Sequence, residues 1–268
     1  MHNCTFQNAR QQDAQADRQS NRLFSEDKYA HYYHNLSSLA DKDLTSAPEG
    51  KRERGTSLSG PGSNAEQTVG VRMVLPVLLS LLGARSMIDV PCGDFNYMRT
   101  VLHAASTPAG IEYTGLDIVA PLVEQLQTTF GSAQAKGATR PHAKGHAKGH
   151  AISFARFDLS LEYLWPADVV VVRDILFHFD LPRANAVLRR IGLSGCRVAL
   201  ITTFPRGSNS LSSRKYRKGR GFKSYASWNL EDAPFSLPPP LISVGEDGGR
   251  TDRIMGLWPC ATLRATLE

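Results

Sequence analysis

The amino-acid sequence predicts an α/β fold, with a doubly wound, mostly parallel sheet that is covered by helices on both faces. Short apolar segments alternate with helix-like segments through the middle of the chain, and this order is typical of a parallel sheet. The interior of the segment 168–173 is all valine, as expected of a strand buried on both faces. The predicted strands lie at about 86–90, 112–117, 152–157, 168–173 and 197–203, with helices near 95–105, 118–130 and 182–192.

The chain divides into two parts of different character. Residues 1–63 are predicted to be an N-terminal extension that is partly disordered, because it begins with a polar stretch, and that contains one amphipathic helix at 23–40. Residues 64–268 are predicted to form one domain. Insertions are expected near 132–151 and 204–240, where the alternation of strands and helices is interrupted.

A helix is predicted to open this domain. Asn64 can cap it, because Gln67 occupies the third helical position of a capping box, and the helix is expected to run to about Leu82. One face of the helix carries the apolar side chains of Val69, Met73, Val77 and Leu81.

Composition and charge narrow the class of protein. The chain has 268 residues, of which 41% are hydrophobic, and a net charge of +6. Much of the positive charge lies in 136–150 and 206–223, which are predicted loops, so solvated loops explain it better than a nucleic-acid-binding surface. The longest apolar stretch, 74–84, is too short to cross a bilayer, and the first residues lack an apolar signal core. We therefore expect a cytoplasmic protein that does not associate with membranes.

The four cysteines are far apart in the sequence and form no Cys-x-x-Cys pair. This spacing argues against a disulfide scaffold or a zinc site, and it is compatible with a reducing compartment. The cysteines are Cys4, Cys92, Cys196 and Cys260. We interpret Cys92 as a small packed turn residue, since no histidine or acid is spaced around it in a way that would activate a nucleophile.

A low-complexity repeat of His-Ala-Lys-Gly spans residues 142–151 and places His142, His146 and His150 four residues apart. That spacing aligns metal ligands on a helix, but the glycines of the repeat disfavour a helix and no acid stands nearby to orient the rings. We expect no metal site, and we interpret the repeat as a surface insertion.

Acidic residues end the first two predicted strands. Asp89 is followed by a sharp turn through Pro91 and Gly93, and Asp117 ends the second strand. Open α/β sheets bind ligands at this edge, and two such acids frame a nucleotide site. The Gly-x-Gly-x-x-Gly of a dinucleotide site is absent, so a pyrophosphate would be poorly held. A ligand with an amine and ribose hydroxyls but no phosphate fits better, and S-adenosylmethionine is such a ligand.

Five motifs in order resemble those of a known family. They are Asp-x-Pro-Cys-Gly-Asp-Phe-Asn from Asp89, Gly-Leu-Asp at 115–117, Phe-Asp at 157–158, Arg-Asp-Ile-Leu-Phe-His at 173–178, and Asn-Leu-x4-Phe-x-Leu-Pro-x-Pro from Asn229. Over residues 59–258 the chain resembles the Rossmann-like class I S-adenosylmethionine-dependent methyltransferases, in particular a branch with this first motif. The resemblance implies S-adenosyl-L-methionine as the cofactor. It also implies a sheet of about seven strands, with a C-terminal antiparallel hairpin formed by 241–245 and 253–258.

The resemblance implies cofactor contacts at the matching positions. Asp89 would help to hold the ammonium group directly or through water, Asp117 would accept from the ribose hydroxyls, and Asp158 would accept from the adenine amino group. From the residues alone, each of these acids could instead cap a helix or lie in a solvated loop. The implied set is Asp89, Cys92, Gly93, Asp94, Asp117, Ile118, Asp158, Leu159 and Arg173.

The segment after the fourth strand contains the candidate catalytic residues. Histidine accepts protons near neutrality, so His178 is the predicted general base for a hydroxyl acceptor, with Asp174 as the next candidate. The alternative for His178 is a structural histidine bonded to the backbone. Arg173 could pair with Asp174 or recognise an anionic substrate. The acceptor pocket is expected between His178 and the segment 204–230.

The predicted activity is transfer of a methyl group to oxygen or nitrogen of a small or medium-sized acceptor. One alternative is an RNA methyltransferase that uses the basic loop 206–223. Another is a catalytically inactive protein that binds the cofactor.

Overall fold

The computed structural model describes residues 57–132, 148–209, 226–249 and 251–267. Within these ranges the chain forms seven strands and five α-helices. The strands are β1 (Ser86–Asp89), β2 (Glu112–Asp117), β3 (Ala151–Arg156), β4 (Val169–Val172), β5 (Val198–Thr203), β6 (Ile242–Gly245) and β7 (Ile254–Pro259). The helices are α1 (Val69–Leu81), α2 (Asn96–His103), α3 (Ala120–Phe130), α4 (Leu181–Leu193) and α5 (Cys260–Leu267).

The seven strands form a single sheet in the order β3-β2-β1-β4-β5-β7-β6. Strands β1 to β5 pair in parallel, whereas β7 is antiparallel to both β5 and β6. The predicted fold class is confirmed, including the antiparallel C-terminal hairpin. The chain moves outward from β1 to β3 and then places β4 on the other side of β1. The connections after β1 and β4 therefore diverge and open a crevice at the carboxyl edge of the sheet.

Hydrophobic side chains pack on both faces of the sheet. Neighbouring strand residues point to opposite faces, so Met87 belongs to the cluster beneath α1, α2 and α3, while Ile88 belongs to the cluster beneath α4 and α5. All four residues of β4 are buried, which agrees with the valine run that predicts this strand. The double cover holds the strand ends in a fixed register, and the crevice is built on them.

Helix α1 begins later than the sequence predicts. Asn64 Oδ1 accepts a hydrogen bond from the Gln67 N–H at 2.8 Å, so the expected cap contact forms, but the α-helix begins only at Val69. Gly70 explains the position of the helix. Its N–H donates to Glu246 O at 2.9 Å, and a Cβ at Gly70 would overlap the carbonyl oxygen of Gly245.

This contact also fixes the rotation of α1 about its axis. Val71 and Leu75 are buried against the sheet, whereas Met73 and Leu81 are 70% and 77% exposed. In the described part of the chain, the apolar face that the sequence singles out therefore points away from the sheet. Apolar residues surround this helix, so the spacing alone does not identify the face that is buried.

A disulfide joins Cys196, just after α4, to Cys260, the first residue of α5, with a Cα–Cα distance of 5.7 Å. The cysteine spacing, which argued against a disulfide scaffold, did not predict this single bond. Sixty-four residues separate the two cysteines in the sequence, and they meet only because β7 lies beside β5. Cys92 is a buried free thiol.

The end of the histidine repeat is structural. His150 is buried, its Nδ1 accepts the Ile111 N–H at 3.1 Å, and its Nε2 lies 2.9 Å from Leu102 O. Lys148 Nζ donates to three carbonyl oxygens in the turn after α2, at 2.6–2.9 Å. The interpretation as a surface insertion is therefore wrong for 148–150, while His142 and His146 lie outside the described residues.

Candidate active site

A cleft opens at the carboxyl edge of the sheet. The space within it and at its open mouth together is about 1010 Å³. Four segments line it: the stretch before α1, the turn after β1, the ends of β2 and β3, and the stretch after β4. All of the predicted site residues line this cleft except Asp89.

Asp89 lies beneath the floor of the cleft. Its side chain is fully buried, and its two oxygens accept hydrogen bonds from Tyr97 Oη at 3.3 Å and from Tyr113 Oη at 3.0 Å. Burial raises the pKa of Asp89 to about 7, although the two tyrosine hydroxyls and Arg173 oppose the rise. Tyr97 does line the cleft. The hydroxyl of Tyr97 therefore stands between Asp89 and the cleft.

The turn after β1 is tied to the end of β2. Gly93 has a φ of 52°, in the left-handed region that favours glycine, and its N–H donates to Asp117 Oδ2 at 3.1 Å. The Val119 N–H donates to Asp117 Oδ1, also at 3.1 Å. Burial raises the pKa of Asp117 to about 6, and the backbone N–H donors limit the rise. Asp117 is held by the backbone while its carboxylate lines the cleft.

The segment after β3 forms one end of the cleft. Asp158 Oδ1 accepts from the N–H of Ser160 at 2.9 Å and from its hydroxyl at 2.6 Å. Within the described chain, no hydrogen bond is made by the other oxygen, Oδ2. Phe157, Leu159 and Ile118 contribute apolar walls beside this acid. The arrangement suits a flat heterocycle with an amino group at its edge.

The carboxylate of Asp94 is engaged by the stretch before α1. Its carboxylate accepts from Ser57 Oγ at 3.0 Å, from the Leu58 N–H at 2.7 Å and from Ser59 Oγ at 3.2 Å. The Asp94 N–H in turn donates to Ser59 Oγ at 2.7 Å. Although Asp94 lines the cleft, its carboxylate binds the stretch before α1, and this stretch becomes a wall of the cleft.

Two buried charges, Arg173 and Glu246, and two partly buried charges, Asp174 and Arg253, connect the segment after β4 to the β6–β7 hairpin. Arg173 Nη2 lies 2.7 Å from Glu246 Oε2, and Arg253 Nη1 lies 3.0 Å from Asp174 Oδ2. Two further contacts close the ring, Arg253 Nε to Glu246 Oε2 and Arg173 Nη2 to Asp174 Oδ2, both at 3.3 Å. Burial raises the pKa of Glu246, while Arg173 and Arg253 lower it. Two roles were predicted for Arg173, and the structure shows one of them, the pairing with Asp174.

Sequence reasoning missed Glu246 and Arg253. The signal that could have found them is a glutamate that directly follows a predicted strand, in a hairpin that also carries an arginine. Their partners lie more than 70 residues earlier in the chain. A local pattern does not encode such a pairing.

Four polar atoms of this charge cluster have no hydrogen-bond partner among the described residues; Glu246 Oε2 and Arg253 Nε form ion pairs, and two atoms do not. They are Arg173 Nε, a donor, and Asp174 Oδ1, an acceptor, and both are buried next to the cleft. Asp174 also has a φ of 55°, which costs free energy in any residue other than glycine. Buried polar atoms normally have partners, and strained backbone is enriched at functional sites. Both observations make this part of the cleft a candidate ligand site.

His178 lies on a 3-10 turn, Leu176–His178, and its half-buried side chain lines the cleft. The rings of Phe177 and His178 are 4.2 Å apart, and Phe179 lines the cleft next to them. The structure does not place the described part of 204–230 along the cleft. Ser59 and Ser63 line it among the described residues, and residues 210–225 of the expected second wall lie outside the described chain.

The described part of the chain contains no group of three or more His, Cys, Asp and Glu side chains that could hold a metal ion. None of its helices is long and apolar enough to cross a membrane.

Comparison with known proteins finds similarity only among solved structures. No protein-family model matches the chain, and no curated protein matches it. The methyltransferase domain of bacterial CtHen1 is 15% identical with a TM-score of 0.47, over 71% of this chain and 97% of that chain. The mitomycin 7-O-methyltransferase MmcR is 17% identical with a TM-score of 0.48, over 84% of this chain and 60% of that chain. Magnesium protoporphyrin IX methyltransferase (ChlM) from Synechocystis PCC 6803, with bound SAH, is 16% identical with a TM-score of 0.45, over 70% of this chain and 83% of that chain.

Proposed function

We propose that the protein is an S-adenosylmethionine-dependent methyltransferase that acts on oxygen or nitrogen of a small or medium-sized acceptor. One observation carries the proposal. Asp117 ends β2, Asp158 follows the end of the adjacent β3 by two residues, and both line a single cleft at the carboxyl edge of the sheet, with their carboxylates held by backbone N–H groups. The observed sheet order, with its antiparallel last pair, supports the resemblance on which the proposal draws.

The residues present fit the cofactor. A carboxylate has about four acceptor positions, so Asp117 can still accept from ribose hydroxyls after binding two backbone N–H groups. Asp158 Oδ2 suits the adenine amino group, and Ile118 and Leu159 would contact the ring. The unpaired donor Arg173 Nε suits the carboxylate of the methionine part. Bound here, the cofactor supplies an electrophilic methyl group on a positively charged sulfur.

Asp89 has an indirect role in this proposal. Both of its oxygens are engaged by tyrosine hydroxyls, so we assign it to orient Tyr97, which contacts the cleft. Asp94 likewise acts by fastening the stretch before α1 over the cleft. Cys92 and Gly93 form the close-packed turn on which the methionine part would rest.

His178 remains the proposed base. It lines the cleft together with Asp174, at the end of β4, the strand next to β1. Holding an acceptor in line with the methyl carbon supplies much of the rate, and a base adds to it when the acceptor is a hydroxyl that must lose a proton. Replacing His178 by alanine would then lower turnover by about 10²–10⁴-fold, with cofactor affinity unchanged.

Calorimetry with S-adenosylmethionine and S-adenosylhomocysteine tests the cofactor assignment. We expect both to bind, and Asp117→Asn to weaken both at least about tenfold, because hydrogen bonds to a charged group are lost. Asp232→Asn is the matched control, since Asp232 is exposed and does not line the cleft. Absence of binding by the unaltered protein would refute the proposal.

Catalysis is tested separately with a labelled methyl donor and fractionated cell extract. Identification of the labelled product would reveal the acceptor and the acceptor atom. Normal cofactor binding without any labelled product would instead favour the catalytically inactive alternative.

A further inference from the structure

The cleft contains a second group of residues that the cofactor assignments do not use. The hydroxyl-bearing Ser59 and Ser63 lie on one side, and Asp174 and His178 lie on the other. The aromatic ring of Phe179 also lines this part. We infer that these residues form the acceptor subsite, and that the acceptor is an uncharged or cationic amine or alcohol that donates a hydrogen bond to Asp174. This inference rests on the proposed function.

The carboxylate of Asp174 is held in one orientation. Its Oδ2 oxygen contacts Arg253 Nη1 at 3.0 Å and Arg173 Nη2 at 3.3 Å. The Asp174 N–H donates to Thr202 Oγ1 at 3.1 Å, which fixes the backbone in its left-handed conformation. A Cβ at Gly62 would lie 2.8 Å from Oδ2, so the stretch before α1 closes over this oxygen. The carboxylate therefore has little freedom to turn.

With Oδ2 occupied, Oδ1 is left as a buried acceptor without a donor in the described structure. An ionised carboxylate oxygen in this position requires a donor from the cleft, either from a water or from a bound molecule. An amine or a hydroxyl supplies that donor. A carboxylate does not, because it offers only acceptors near neutral pH.

The charges around the cleft support the same class of acceptor. Four carboxylates line it, Asp94, Asp117, Asp158 and Asp174, and Glu246 is buried behind them. The positive groups that face them in the described chain, Arg173 and Arg253, are already paired with Asp174 and Glu246.

Three compounds of one shape test this inference: benzylamine, benzyl alcohol and benzoate. Their common ring can pack against the Phe179 side of the cleft, so that they differ mainly in the polar group. Binding is measured by calorimetry with the cleft saturated by S-adenosylhomocysteine, for the unaltered protein, for Asp174→Asn and for the exposed-site control Asp232→Asn. Melting curves establish that each variant is folded.

We expect benzylamine and benzyl alcohol to bind and benzoate to fail. Asp174→Asn should weaken benzylamine at least about tenfold, the effect of losing a charge-assisted hydrogen bond, while S-adenosylhomocysteine affinity changes by less than about twofold. Asp232→Asn should change neither.

The inference is overturned if benzoate binds more tightly than benzylamine, if none of the three compounds binds, or if Asp174→Asn leaves benzylamine affinity intact. A large loss of S-adenosylhomocysteine affinity in Asp174→Asn also overturns it, because Asp174 would then hold the cofactor. In all of these outcomes the proposed function stands. Failure of the unaltered protein to bind S-adenosylhomocysteine is the separate result that refutes the proposed function.

Discussion

The carboxylate of Asp89 should make the stability of this protein depend on pH. It is fully buried, with Tyr97 and Tyr113 as its hydrogen-bond donors, and burial raises its pKa from 3.8 to about 7. In the unfolded chain the same group loses its proton near pH 4. Between pH 4 and pH 7 the folded protein therefore keeps a proton that the unfolded chain has released.

Proton linkage gives the direction in which the free energy of unfolding changes with pH. Where the folded state binds more protons, the free energy of unfolding falls as the pH rises, so the stability contributed by Asp89 is complete below pH 4 and lost above pH 7. The difference between the two pKa values corresponds to about 4 kcal/mol. About 3 kcal/mol of this lies between pH 5 and pH 8, a range in which unfolding can be measured.

Asp89→Asn removes this titration and keeps a group that can accept from one tyrosine and donate to the other. Urea unfolding of both proteins at several pH values provides the measurement. We expect the unaltered protein to lose about 3 kcal/mol more stability than the variant between pH 5 and pH 8. Parallel stability profiles for the two proteins would refute the reasoning, because Asp89 would then titrate normally.

Asp168→Asn serves as a control, because the stability that Asp168 contributes changes with pH in the opposite direction. Burial favours a higher pKa for Asp168, but the backbone N–H groups of Arg85 and Ser86 outweigh it and lower the pKa below its usual value. The stability that Asp168 contributes is therefore present above pH 4 and is lost as the pH falls further.

Three further outcomes are expected. Asp94→Ala should leave the domain folded but weaken S-adenosylhomocysteine binding and speed its release, because the stretch around Ser59 loses its anchor; stopped-flow measurement of unchanged release would contradict this. His150→Ala should lower the free energy of unfolding by about 1–3 kcal/mol, measured by urea titration, since two buried backbone groups lose their partner. Replacing Cys196 and Cys260 together by serine should lower stability by about 2–4 kcal/mol under oxidising conditions, and a reductant should remove the difference in melting temperature from the unaltered protein.

Local patterns in the sequence predicted the five parallel strands and four of the five described α-helices, whereas α5 was not predicted. The structure confirms the strand predicted from the valine run and the alternation of strands and helices. Both could be predicted because strand and helix periodicities depend on neighbouring residues. The acids Asp117 and Asp158 were found for the same reason. Each one lies at or just after the end of a strand, and parallel strands bring their carboxyl ends to one edge.

The partner of each side chain was decided only by the tertiary structure. Asp94 has the same position in its motif whether it faces a ligand or binds Ser59, and Asp89 became a buried group because two tyrosines close over it. The rotation of α1 was likewise set by a contact with the distant Gly245.

The sequence by itself therefore determined the order of strands and helices and the placement of acids at one edge of a sheet. The tertiary structure decided which carboxylate oxygens remain available in the cleft. The physical reason is the distance along the sequence between the residues that set each feature. Periodicity and strand ends are local properties, whereas the contacts that occupy Asp174 and Arg173 come from residues more than 70 positions away, through a hairpin that reaches them only after the sheet has formed.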